Sequence, residues 1–383
     1  MTNNLESMGI YIHVPFCLHK CAYCDFYSVP MQDPEVLENY TRTVIKELEL
    51  RQTEMDCPVT TIYLGGGTPS RLSPVQIARI LNAVFTQYRT SGEPEISMEV
   101  NPATVNRQDL RDLLSAGVNR LSIGVQSFAD AELQILGRMH SSAEAATILA
   151  EVREAGFDNF NIDLIYGVPG QTLAGWQENL KLALDFHPTH ISAYLLQLDT
   201  NTPMARKIAA GSLTALAEDL EADMFYGARD YLQQQGYQHY EISNFARPGQ
   251  ECQHNLLYWR CRKYLGIGPG AVSFNGQRRI LNPPRLEEYM AALLAGQAPA
   301  WEIIETMDAR QQAVDAIIMG LRLTEGISLP DFLQRFDVEL TTDYQHIIQL
   351  CQQRGLLQQD HDRLYLTPRG YFLSNQVLSL FVD

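Results

Sequence analysis

Three cysteines fall within eight residues near the start of the chain, Cys17, Cys21 and Cys24, in a loop that follows the apolar run 9–14. Thiolates are soft ligands. A C-x3-C-x2-C spacing on one tight loop lets each sulfur reach a different iron of an iron–sulfur cube and leaves the fourth iron open to a small molecule. The same spacing has two plainer readings. Positions 17, 21 and 24 stand at i, i+4 and i+7 and could line the inner face of a helix, although Pro15 and the flanking aromatic residues work against a regular helix there. Zinc would need four closed ligands, with His13, His19 or Asp25 as the fourth.

The elements that must position these thiols alternate. Leu37, Tyr40, Val44 and Leu48 recur on one face of a helix that ends before Cys57 and Pro58, and residues 61–64 form the next strand. Pro74 opens a helix toward Tyr88. The alternation continues with strand 95–100, a helix from Asn106, strand 120–125, helix 142–155, strand 160–165, helix 173–186 and strand 190–196. Strands joined by helical crossovers lie parallel and the crossovers are right-handed. The six units therefore form a partial (β/α)6 barrel or an open doubly wound sheet, and periodicity alone does not separate the two.

A helix over 216–235 closes this half. Residues 236–299, rich in glycine and proline with scattered aromatics, read as loops laid across the barrel. Beyond them, helical stripes at Val314–Leu321, Leu329–Phe336 and Tyr344–Cys351, and a hairpin around Asp360, His361 and Asp362, predict a winged-helix-like module. The expected division is 1–237 for the α/β core, 238–305 for a connecting region and 306–383 for the C-terminal domain.

Functional residues of a parallel βα barrel gather at the C-terminal ends of its strands. The first strand ends at the cysteines, the second at Gly65, Gly66, Gly67 and Thr68, the third at Glu99 and the fourth at Gln126, while the fifth carries Asp163. A glycine triplet lets a ligand approach bare backbone, and alone it is equally a tight turn.

The loop HVPFCLHKCAYCDF resembles the cluster motif of radical S-adenosylmethionine (SAM) proteins, and the resemblance covers the first half of the chain. It decides for the partial (β/α)6 barrel. It implies a [4Fe-4S] cluster on Cys17, Cys21 and Cys24 whose open iron is chelated by the amino and carboxylate groups of SAM. It also implies that Tyr11, Gly66, Gly67, Thr68, Glu99, Gln126, Arg138 and Asp163 contact SAM, Glu99 at the ribose hydroxyls and Arg138 at the carboxylate as a bidentate fork. Arg138 would otherwise be a solvated helix charge. Tyr11 and Tyr23 bracket the cluster and could cover the nucleoside or pack in the core.

Within that superfamily the chain resembles the oxygen-independent coproporphyrinogen III oxidase-like family, which holds a dehydrogenase and haem chaperones. Phe26 stands where the dehydrogenase carries one more cysteine, and eight residues precede the first strand where the dehydrogenase has a long arm. His254, Asn255, Tyr258 and Trp259, in the run HNLLYW, resemble the HNxxYW motif of the chaperones. An imidazole can ligate haem iron while Tyr258 and Trp259 give flat apolar cover. The plainer reading is a buried histidine among core aromatics, and Cys252 and Cys261 flank the motif as alternative soft ligands. The implied function is haem binding and transfer to an acceptor protein, expected among respiratory enzymes, with a [4Fe-4S] cluster and SAM on the same chain. Coproporphyrinogen dehydrogenase activity is the alternative and is not expected; a zinc-bearing structural or regulatory protein is the second.

The 383 residues, 45% of them hydrophobic, can bury a full core without staples. Lys and Arg number 29 against 45 Asp and Glu, and a net charge of −16 repels phosphate backbones and anionic lipid. The C-terminal domain has six Arg, no Lys and ten acidic residues, the wrong sign for a DNA reader, so it is expected to dock on protein. Nucleic acid is excluded as an expected partner. Seven cysteines, odd in number and partly clustered, suit a reducing compartment. There is no basic start followed by an apolar core and no run of eighteen apolar residues, so the chain is expected to be cytoplasmic, with at most peripheral contact to membrane-bound acceptors.

Overall fold

The computed structural model describes residues 7–382. Six strands, β1 (Met8–Val14), β2 (Val59–Gly66), β3 (Thr90–Val100), β4 (Arg120–Gln126), β5 (Phe160–Tyr166) and β6 (His190–Leu195), pair in that order and all parallel. The crossovers are α1 (Pro34–Leu50), α2 (Pro74–Gln87), α3 (Arg107–Ser115), α4 (Asp130–Leu136) with α5 (Ser142–Ala155), and α6 (Leu173–Asp185). Their starts are set locally. Asp33, Ser73, Asn106, Ser141 and Thr172 cap the first turns with side-chain oxygens, and Ser73, Asn106 and Ser141 form reciprocal boxes with Gln76, Asp109 and Glu144. The even positions of β1 (Met8, Ile10, Ile12, Val14) lie with Ile62, Leu64, Leu121 and Ile162 in one apolar core. Among the described residues no ladder joins β6 to β1, so the barrel stays open.

Two helices, α7 (Pro203–Ala209) and α8 (Glu218–Gln234), follow β6. The loops expected over 236–299 are instead mostly regular structure. A short pair, β7 (Gln238–Glu241) and β8 (Asn244–Ala246), extends the sheet antiparallel beyond β6. Next come α9 (Gln253–Trp259) and then β9 (Lys263–Ile267), which adds parallel to the free side of β1. Three further strands, β10 (Val272–Phe274), β11 (Arg278–Leu281) and β12 (Glu302–Thr306), continue that edge antiparallel and complete a sheet of twelve. The glycines that suggested loops serve close approach. A Cβ at Gly266 in β9 would come 2.2 Å from the Val272 carbonyl oxygen.

This extension is held by charge buried under α1. Arg51 donates to Glu47, Glu54, the Gly266 carbonyl, Asn282 and Ser273, and Glu47 also accepts from Tyr289 in α10 (Leu286–Leu294). Both Arg51 and Glu47 are at most 1% exposed.

The C-terminal domain runs α11 (Ala309–Gly320), β13 (Ile327–Ser328), α12 (Leu329–Phe336), α13 (Leu340–Asp343), α14 (Gln345–Gln353) and the hairpin β14 (Leu357–Asp360) and β15 (Arg363–Leu366). Its three strands form one antiparallel sheet in the order β13-β15-β14, which gives the winged-helix-like arrangement. It joins the barrel at β7, where Thr324 donates its N–H to the Tyr240 carbonyl at 3.0 Å and its hydroxyl to that of His239 at 2.6 Å.

Candidate functional site

The cysteine loop is not a helix, so the helical-face reading of positions 17, 21 and 24 falls. Backbone bonds pin the loop between α4 and α7: the Ala22 N–H donates to Leu136 at 3.1 Å, and Met204 donates to the Ala22 carbonyl at 2.9 Å. All three thiols are partly exposed. Burial, reinforced by the neighbouring Cys21 and Cys17, pushes the Cys24 thiol up to about 11. Among the described residues no three His, Cys, Asp or Glu side chains converge as a single ion requires. A cube, which takes each thiolate on a separate iron, does not ask for that convergence. Thr68, just past the end of β2, and Arg138, just past the end of α4, reach the thiols, with Thr68 Oγ1 3.5 Å from Cys17 Sγ and Arg138 Nη1 3.6 Å from Cys21 Sγ.

The glycine loop closes over β1. Gly67 donates its N–H to the Val14 carbonyl at 2.8 Å, and a Cβ there would meet the Phe16 oxygen at 2.9 Å. Gly66 has φ +110°, and a Cβ there would enter the His13 ring at 2.6 Å, so only glycine leaves this backbone bare. Glu99 accepts from the Gly66 N–H at 3.1 Å and from the Tyr63 hydroxyl at 3.0 Å. Burial and then the charge of Asp163 raise its carboxyl to about 7. Asp163 accepts from Ser122 and Asn161, and burial raises its pKa as well.

Gln126 stands at a register break between β4 and β5 with φ +69°, and its side chain crosses the bare face of Gly124. Arg138 donates to the Gly124 carbonyl at 2.7 Å, while its buried Nε has no partner among the described residues. Tyr23 lies beside Arg138, whose charge partly offsets the upward push of burial on the phenol. Tyr11 bonds His13 and stacks on Tyr63, with ring centres 6.2 Å apart. Thiols, bare backbone and a guanidinium N–H left over suit a cluster carrying an amino-acid carboxylate.

The HNLLYW residues lie elsewhere, on α9. Glu95 holds the start of α9 through the N–H groups of Gln253 and His254, at 3.0 and 3.1 Å. His254 is 1% exposed. Its Nδ1 lies 2.8 Å from Thr61 Oγ1, its Nε2 lies 2.8 Å from the Tyr258 hydroxyl, and its ring stacks on Tyr63 at 5.2 Å. Burial and then the Arg120 charge lower its pKa to about 3, so the imidazole is neutral with both nitrogens engaged. Asn255 is half-buried. Tyr258 packs edge-on against Tyr264, and Trp259 carries Arg322 over its ring. The Trp259 indole N–H is buried without an acceptor among the described residues.

Tyr63 links the two regions, stacked on His254 and bonded to Glu99. Thr61, Tyr63, Glu95 and Arg120 were not singled out from sequence. The available signal was the polar side chains at 61 and 63, alternating with apolar neighbours along a central strand.

Residues 11–183 match the Radical SAM superfamily, and residues 307–373 match the HemN C-terminal domain. Heme chaperone HemW of Escherichia coli is 38% identical over 384 residues, 99% of each chain. The chain belongs to the HemW family of radical SAM proteins. Heme chaperone HemW of Lactococcus lactis is 34% identical over 97% of this chain and 96% of its own. A mitochondrial radical S-adenosyl methionine domain-containing protein 1 of Danio rerio is 33% identical over 84% and 74%. The solved structure of HemN, the coproporphyrinogen III oxidase of Escherichia coli, shares 25% identity and superposes with a TM-score of 0.84 over 98% of this chain and 90% of that one. This HemW-family chain therefore has the fold of a radical SAM enzyme, and its superfamily implies a [4Fe-4S] cluster and SAM.

Proposed function

We propose that the chain is a haem chaperone that holds haem, a [4Fe-4S] cluster and SAM and passes haem to an acceptor protein among the respiratory enzymes. The observation that carries this is 38% identity across 99% of both chains to a heme chaperone HemW. Cys17, Cys21 and Cys24 hold the cluster, whose open iron takes the amino and carboxylate groups of SAM. Arg138 presents its unsatisfied Nε–H to that carboxylate, Gly66 and Gly67 offer bare backbone, and Glu99 accepts from the ribose. Tyr11, Tyr23, Thr68, Gln126 and Asp163 complete the pocket wall. Haem belongs to the α9 segment with His254, Asn255, Tyr258 and Trp259. For His254 to ligate iron, the bond from Nε2 to Tyr258 or from Nδ1 to Thr61 must open. The protein works in the cytoplasm, touching membrane-bound acceptors from the side; among the described residues no helix is long and apolar enough to cross a membrane.

A second reading, coproporphyrinogen dehydrogenase, is supported by the TM-score of 0.84 to HemN. Against it, Phe26 occupies the place of the further cysteine and is 64% exposed. Anaerobic purification with iron, sulfide, zinc and haem quantified on one sample tests the proposal. Added haem should be retained beside about four irons on the three thiolates. Incubation with a reductant, SAM and coproporphyrinogen III should yield no protoporphyrinogen. Turnover above a cluster-free control would favour the dehydrogenase.

A further inference from the structure

Thr61 and Tyr63 stand two apart on β2, so both side chains leave the same face of the sheet. There they meet α9. Thr61 Oγ1 lies 2.8 Å from His254 Nδ1, and the Tyr63 ring stacks on the imidazole with centres 5.2 Å apart and planes at 26°. Toward the cluster, the Tyr63 hydroxyl donates to one Glu99 oxygen at 3.0 Å, its one bond among the described residues, while the other Glu99 oxygen accepts the Gly66 N–H at 3.1 Å. His254 itself bonds neither Glu99 nor Gly66. Tyr11 also stands near His254, at 6.4 Å, but its hydroxyl bonds His13. Tyr63 is the side chain that joins the imidazole to the carboxylate.

Neither contact has slack. At Gly9 on β1 a Cβ would stand 2.8 Å from Thr61 Oγ1 and 3.0 Å from His254 Cε1, and at Gly65 it would stand 2.8 Å from Tyr63 Cε1 and 3.0 Å from Glu99 Oε1. The space that each glycine leaves is filled by these side chains, and so close-packed an interior transmits a displacement instead of absorbing it. On its far edge His254 is held again, with Nε2 2.8 Å from the Tyr258 hydroxyl.

We infer that Tyr63 is a positioning residue that holds the Glu99 carboxylate for the SAM ribose and makes that hold depend on His254, so that SAM binding and the α9 segment are thermodynamically linked. This rests on the reading that SAM meets Glu99, and haem need not be bound. With one oxygen on Tyr63 and the other on Gly66, the carboxylate is oriented before the ribose arrives, and less ordering is left for binding. The linkage is reciprocal. A change that loosens His254 weakens SAM, and bound SAM holds His254 on Thr61 and Tyr258. Ligation of iron by His254 would need one of those bonds open, so SAM occupancy would set how readily α9 leaves its closed arrangement.

SAM binding to the cluster-bearing protein, measured by calorimetry in the wild type, Tyr63→Phe, His254→Gln and the double variant, tests this, with melting checked for each. Tyr63→Phe keeps the ring on His254, loses the Glu99 bond, and should weaken SAM roughly tenfold. His254→Gln changes no charge, since burial keeps the imidazole neutral, and should still weaken SAM roughly fivefold. The double variant should bind SAM as Tyr63→Phe alone does, because the path to Glu99 is already cut. Thr61→Val, which removes the hydroxyl beneath Nδ1 and keeps its shape, repeats the far-end change in case His254→Gln melts early. Amide exchange over 253–259 should slow when SAM is added to the wild type and not when it is added to Tyr63→Phe. SAM affinity untouched by His254→Gln and by Thr61→Val, or losses that add in full in the double variant as two separate packing defects would, overturns the linkage while SAM at Glu99 stands. Wild-type affinity in Glu99→Ala would instead remove Glu99 from the SAM site, and the role of Tyr63 with it.

Discussion

Arg138 ties the cysteine loop to the end of β4. One Nη touches the Cys21 sulfur, the other holds the Gly124 carbonyl, and the buried Nε has no partner among the described residues, the N–H that the proposed function gives to the SAM carboxylate. Arg138→Ala should remove a charge-assisted bond of about 1.5–3 kcal/mol and weaken SAM binding accordingly, measured by calorimetry on the reconstituted protein with melting unchanged. Normal SAM affinity in that variant would remove Arg138 from the site. Glu99→Ala should act in the same direction through the ribose and through release of the Gly66 N–H. The residues of this rim were legible because strand ends and glycine runs are visible in sequence. Arg138 was not, since it follows a short helix with no strand-end signal, and only the family resemblance picked it out. The burial of His254 among aromatic rings is the plainer of the two readings its sequence allowed, but its partners were illegible: Thr61 and Tyr63 are almost two hundred residues away and only the fold brings them beneath it.

Among the elements, the alternation of strands and capped helices made the parallel half readable, whereas β9, β10 and β11 were mistaken for loops. Those strands are three to five residues long, and glycine in β9 is required by the approach of Val272. Their anchor was equally hidden, because Glu47 and Arg51 carry no mark in the sequence that sets them apart from the other charged residues of α1. Breaking a buried pair leaves one charge unpaired, at about 3–5 kcal/mol. Arg51→Ala should lower stability by that order in urea unfolding and loosen β9 and β10 in hydrogen exchange. A loss below 1 kcal/mol would mean the extension is held by its ladders alone.

On the scale of the whole molecule, the excess of acid has a thermodynamic counterpart. Burial raises both Glu99 and Glu241 to about 7 from an ordinary 4.5. The folded chain therefore keeps protons that the unfolded chain has already lost. Stability should fall as pH rises from about 4.5 through 7, by up to about 1.4 kcal/mol per pH unit and per group, before solvent relaxation reduces it. The urea midpoint of the cluster-free protein should be higher at pH 5 than at pH 8, and Glu241→Gln should narrow the gap. Equal midpoints would show that neither carboxyl is held protonated.

The same scale decides what the molecule is for. Haem loaded on the chain should be mixed with a haem-free respiratory cytochrome, and separately with apomyoglobin as a passive sink that reports spontaneous dissociation. Direct hand-over predicts that haem reaches the cytochrome faster than it reaches apomyoglobin, at a rate that rises with cytochrome concentration. Transfer to both at one concentration-independent rate would contradict a chaperone.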